Sequence, residues 1–165
     1  MDLIAELKKE FESEAKTTRK FLKLVPEDKY DWAPHKKSMS LKQLSGHIAE
    51  LPHWVHMAVY TTGLDFAKKE YQPPSFENGK ELLALFEKSV KNGEDALSNV
   101  KEEQFEETWQ LKNSDQILWD GNTYEMIRHA LAQQIHHRAQ LGVYLRLLDI
   151  PIPGSYGPSA DDQNF

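Results

Sequence analysis

Between residues 4 and 25, apolar or small residues recur three and four positions apart: Ile4, Leu7, Phe11, Ala15, Thr18, Leu22 and Val25, with Glu and Lys filling the gaps. That period predicts one stripe of an amphipathic helix, ended by Pro26. Residues 26–39 contain two prolines and the turn-forming Asp31-Trp32-Ala33-Pro34, so they read as an irregular connection. Ser40-Leu41-Lys42-Gln43 has the spacing of a capping box, in which a hydroxyl and an amide satisfy free backbone N–H groups. A second helix is expected from there through Leu44, Ile48, Leu51, Val55, Ala58 and Val59 to a stop at Gly63. Pro52 removes one backbone hydrogen bond within it, which predicts a kink between His47 and Pro52.

After a loop holding Pro73 and Pro74, Ser75 is a candidate cap for a third helix carrying Leu82, Leu83, Phe86, Val90 and Leu97 and ending near Asn99. The stretch Phe105–Trp119, with the polar turn Lys112-Asn113-Ser114-Asp115, reads as a loop or a short hairpin. A fourth helix is expected from about Thr123 to Leu148, capped by Asn122 or Thr123. Its inward side is Ile127, Leu131, Ile135, Leu141, Leu145 and Leu148. The segment Ile150–Pro158 holds three prolines and cannot be helical, so it should lie extended, burying Ile152 and Tyr156. The expected fold is all-α: an antiparallel four-helix bundle with long loops and an extended C-terminal tail, one domain over residues 1–165.

The chain has no cysteine, which excludes disulfides, thiolate metal sites and a cysteine nucleophile; a transition metal would need imidazole, carboxylate or amide oxygen. A formal charge of −6 repels a phosphate backbone, and the basic clusters are only pairs such as Lys36-Lys37, so nucleic acid is not an expected partner. No apolar run approaches the roughly 18 residues of a membrane span. The charged, amphipathic start lacks the pattern of a secretory leader, so the cytoplasm is the expected location.

The chemically pointed feature is the placement of seven histidines: His35, His47, His53, His56, His129, His136 and His137. A single histidine is more often a surface or hydrogen-bonded core group than a ligand. His47, however, falls mid-helix directly after Gly46, where a missing side chain admits a close neighbour. His137 falls mid-helix four residues after Gln133, so those two side chains share a face. Helical bundles build metal sites from such i, i+4 pairs plus a group from a facing helix. Gln133 is a neutral amide and a poorer donor than imidazole, and the plainer reading of Gln133 and His137 is a hydrogen-bonded polar pair. Trp32, Trp54, Trp109, Trp119 and Tyr124 are candidates for a pocket wall, or simply core and loop anchors.

Two stretches carry a resemblance. Ile135-His136-His137-Arg138-Ala139-Gln140-Leu141, continued by Tyr144-Leu145-Arg146-Leu147-Leu148 and Ile150–Asp162, resembles the C-terminal signature of DinB-like proteins. Pro34–Leu41 with Gly46-His47-Ile48-Ala49-Glu50-Leu51-Pro52 is similar to the same family's second-helix motif. The resemblance implies a four-helix bundle that holds nickel or zinc through three histidines, one matching His47 and two from the last helix. The second of those two matches His137, and the first falls on Gln133. It thereby implies a degenerate metal site of His47, Gln133 and His137 in which metal binding is weak or absent. Relatives commonly form dimers, so the resemblance also implies a homodimer.

Family members range from metal-dependent thiol transferases and isomerases to proteins without known activity, so the resemblance supplies no reaction. Two readings follow. One is a protein that binds a small molecule without established turnover. The other is a divalent-metal-dependent enzyme of thiol-transferase or hydrolase type, with Glu50, one turn from His47, as the nearest acid/base group.

Overall fold

A computed structural model describes residues 2–68 and 71–163. Its helices are α1 (Leu3–Leu22), α2 (Leu41–Tyr60), α3 (Gly79–Asn99) and α4 (Thr123–Leu147), and its strands are β1 (Gly63–Asp65), β2 (Thr108–Asn113) and β3 (Gln116–Asn122). The capping box at α2 forms as its sequence predicts: Ser40 Oγ accepts from Gln43 N–H, and Gln43 Oε1 accepts from Ser40 N–H. Asn122 and Glu125 make a second one at α4. At α3 the cap is Asn78, whose Oδ1 accepts from Glu81 N–H at 2.9 Å, not Ser75. The helix starts later because Phe76 leaves the loop to fill the core, 2% exposed, against the space above Gly46. α2 runs without interruption through Pro52.

The helices do not simply alternate in direction. Glu10 meets Arg128, Glu14 meets Arg138 and Phe21 meets Gly142, so α1 and α4 run parallel. Lys42 reaches Glu77 just before α3 and His53 reaches Asn92 within it, so α2 and α3 also run parallel. Met39 and His47 face Tyr144 and His137, which makes α2 and α4 antiparallel. Parallel α2 and α3 force the chain between them to travel back along the bundle. This crossover brings Tyr71, Pro74 and Phe76 past Glu50 and Gly46. At Gly93 the packing is close enough that a Cβ would lie 2.4 Å from Phe11 and 2.7 Å from the Pro52 carbonyl oxygen.

The all-α expectation is corrected by a small three-stranded sheet. β2 and β3 form the hairpin that residues 105–119 suggested, and β1 adds parallel to β2 with Leu64 beside Leu111. Gly63 lies where a Cβ would be 2.3 Å from the Gln110 carbonyl oxygen, so the parallel pairing needs glycine there. Trp109 is fully buried, and its indole N–H donates to Thr61 Oγ1 at 3.1 Å, which fixes the sheet to the end of α2.

The inward side of α4 differs from the apolar stripe in one place. Ile127, Leu131, Leu141 and Leu145 are buried, while Ile135 and Leu148 are only half-buried, and Gln134 and Arg138 take the interior instead. The tail lies extended, with Ile152 against the core; Tyr156 is 65% exposed and anchors through its hydroxyl.

Candidate functional site

The antiparallel contact of α2 with α4 places His47 against His137, ring centroids 4.7 Å apart and planes at 79°. Three residues along α2, on the same face, Glu50 Oε1 lies 2.7 Å from His47 Nδ1. The same oxygen accepts from the Tyr71 hydroxyl at 2.6 Å. On α4, His137 Nδ1 lies 2.9 Å from Gln140 Oε1. Both rings thus have an acceptor within hydrogen-bond reach of Nδ1, an arrangement that suits a proton there and, in a neutral ring, leaves Nε2 as the acceptor.

Burial, reinforced by the neighbouring His47 and His136 and opposed by Gln140, holds His137 below the ordinary histidine value. Burial and the bond to Glu50 push the Tyr71 phenol up, so it remains a donor through the neutral range. Tyr71 carries no local signal in the sequence. It lies 21 residues from Glu50, and only the crossover between α2 and α3 brings it there.

Gln133 is engaged elsewhere. Its amide nitrogen lies 3.3 Å from His129 Nε2, one turn back on the same helix, and His129 in turn lies beside Trp119 at 5.7 Å between ring centroids. Burial lowers the pKa of His129, in keeping with a neutral ring accepting from that amide. His53 and His56 stack on each other, and His53 Nδ1 meets the Asn92 amide at 3.1 Å. Among the described residues, no group of three or more His, Cys, Asp and Glu could hold a metal ion. Two oriented imidazoles and an amide bonded to a third do not fit the three-donor set that the resemblance implies.

His47, Glu50 and Tyr71 line one wall of a cavity of about 600 Å³, together with Asp31, Met39 and Lys42. None of the five aromatics singled out in the sequence lines it. Trp109 is a core anchor, and Trp54 packs behind Tyr71. A second cavity of about 510 Å³ lies between α4 and the tail, walled by Val143, Leu147, Ile152 and Tyr156; Arg146, which also lines it, is paired with Asp161.

The model of the DinB family matches residues 1–164. The chain belongs to the DinB family. Solved structures agree on the fold at low identity. A DinB-like protein from Bacillus subtilis is 20% identical, with a TM-score of 0.70 over 91% of this chain and 97% of that one. A DinB-family protein from Exiguobacterium sibiricum is 21% identical, with a TM-score of 0.70 over 93% and 97%. One from Bacillus cereus is 18% identical, with a TM-score of 0.70 over 91% and 95%. No curated protein matches the chain. Family membership thus accounts for the bundle. The Glu50–Tyr71 contact and the engagement of Gln133 are geometry of this DinB-family chain itself.

Proposed function

We propose that this DinB-family protein binds a small organic molecule in the cavity beside His47, Glu50 and Tyr71, and that it holds nickel or zinc weakly or not at all. The observation that carries this reading is the Tyr71–Glu50–His47 hydrogen-bonded chain on the wall of a 600 Å³ cavity. A concave site of roughly 300 to 1,000 Å³ with a few converging polar groups is the usual form of a small-molecule site. The second reading, a metal-dependent thiol transferase or hydrolase, draws on the Nδ1 hydrogen bonds of His47 and His137, since metal-ligating histidines donate from their other nitrogen in the same way. Its weakness is the third donor. A homodimer and a cytoplasmic location belong to the same proposal; no helix among the described residues is long and apolar enough to cross a membrane.

The test combines elemental analysis of protein purified without an affinity tag with a fragment screen read by amide and imidazole NMR signals. The expected result is far less than one metal per chain, with fragments shifting signals of His47 and Tyr71. One zinc or nickel per chain, with no fragment perturbing either residue, would replace this reading by the metal-enzyme one.

A further inference from the structure

The ligand class follows from how the carboxylate of Glu50 is used, and the argument rests on the small-molecule reading above. Glu50 is only 9% exposed, yet it lines the cavity. Its Oε1 accepts from both His47 and Tyr71, at 2.7 and 2.6 Å. Its Oε2 accepts no hydrogen bond from a described residue and is not sealed off, so it is open to a visitor. A carboxylate this far from water costs free energy unless a cation or further donors compensate it.

Among the described residues no lysine or arginine does so, and His47, at 2.7 Å, is a cationic partner only when protonated. Lys42 shares the cavity, but its Nζ sits 3.5 Å from both carboxylate oxygens of Glu77 and over the rings of Tyr30 and Phe76, at 5.8 and 5.6 Å from their centroids. Asp31 adds a second acidic group to the lining, while Met39, Pro73, Pro74 and the Tyr71 ring supply apolar wall. Ser40, Gln43 and Ser75 complete the polar lining, so the cavity carries two carboxylates, and that of Glu50 meets the His47 imidazole and the Tyr71 hydroxyl but no described lysine or arginine.

We infer that the cavity takes a small organic ammonium, with its N–H groups donating to Glu50 Oε2 and its carbon body lying along Tyr71, Met39 and the two prolines. An ammonium brings up to three donors and a positive charge, and an aromatic face beside it adds a cation–π contribution. A carboxylate ligand would meet Glu50 with like charge, and a neutral alcohol would leave that charge uncompensated.

The test uses three probes of similar shape at fixed ionic strength: 2-phenylethylammonium, 2-phenylethanol and 3-phenylpropanoate. Each is titrated into the full-length protein by calorimetry, with NMR locating the contact. The ammonium is expected to bind at least about tenfold more tightly than either companion and to shift Tyr71 and His47 signals. Glu50→Gln, which keeps a carbonyl oxygen for both resident donors, should remove the preference. The wild-type ranking stands as a test even if that variant folds poorly. If the alcohol or the propanoate binds at Tyr71 as tightly as the ammonium, the ligand class is wrong while the small-molecule reading survives. A preference that persists in well-folded Glu50→Gln removes Glu50 as its source and overturns the inference. Failure of all three probes to shift either residue also overturns it, and the broader fragment screen then decides the parent reading separately.

Discussion

Arg138 on α4 and Glu14 on α1 form an ion pair in the interior, with Nη1 2.6 Å from Oε2 and side chains only 2% and 6% exposed. Around it the polar atoms are satisfied. Thr18 Oγ1 accepts from Arg138 at 3.1 Å and from the Gln134 amide at 3.0 Å. Tyr156 OH accepts from Arg138 Nη2 at 2.9 Å and donates to Glu14 Oε1 at 2.8 Å, which ties the tail to the bundle.

Deleting one member leaves the other charge buried without a partner. Glu14→Ala is therefore expected to cost about 3 to 5 kcal/mol in urea unfolding. The paired replacement Glu14→Leu with Arg138→Met should recover much of that loss, because it removes both charges together. A single-variant cost below about 1 kcal/mol would place the pair in effective contact with water.

Leu131 and Ile135 occupy the same apolar stripe in the sequence but different environments in the fold. Leu131 is 1% exposed, whereas Ile135 is half-buried and outside the core cluster. Leu131→Ala should cost roughly 2 to 5 kcal/mol and Ile135→Ala distinctly less, since less apolar surface and no enclosed cavity are involved. Equal costs in denaturant melts of the two variants would contradict this division of the α4 face.

Burial holds the His53 imidazole below its ordinary value of 6.5, with His56 pushing in the same direction. For such a group the unfolded chain binds the proton more tightly than the folded one. Its contribution to stability is complete above pH 6.5 and is lost as pH falls through the lower folded value. Urea midpoints should decline between neutral pH and pH 5, and the decline should be smaller in His53→Gln. An NMR titration placing His53 at or above 6.5 would remove the basis for this expectation.

Gln133 lies four residues before His137 but bonds to His129. Gln133→His puts an imidazole four residues before His137 on α4, where the resemblance implies a ligand beside His137 and His47. Zinc or nickel affinity is expected to rise at least about tenfold, or roughly 1.4 kcal/mol, and the gain should vanish when His47→Ala is added. A variant that binds no better than wild type in the same buffer would show that the three positions do not converge.

The helices were legible because their signals are local. The stripe from Leu7 to Leu22, the Ser40–Gln43 box and the stop near Asn99 each depend on residues within a turn or two of one another. The facing of His47 and His137 was legible through the two motifs that resemble the family's. The parallel strand β1 was not, because three residues after a helix carry too little alternation to announce a strand whose partner lies beyond α3.

What the sequence determined by itself is the set of helices and the proline-rich tail, written in a periodicity of 3.6 and in capping residues, while residues 105–119 stood between a loop and a hairpin. Tertiary structure alone decided which polar side chains meet. The parallel run of α2 and α3 sends the crossover back over α2 and sets Tyr71 on Glu50, while the parallel run of α1 and α4 turns Arg138 inward onto Glu14. Neither pairing leaves a local trace, because a hydrogen bond between residues 21 or 124 positions apart depends on helix direction and packing. Local propensity does not encode either one.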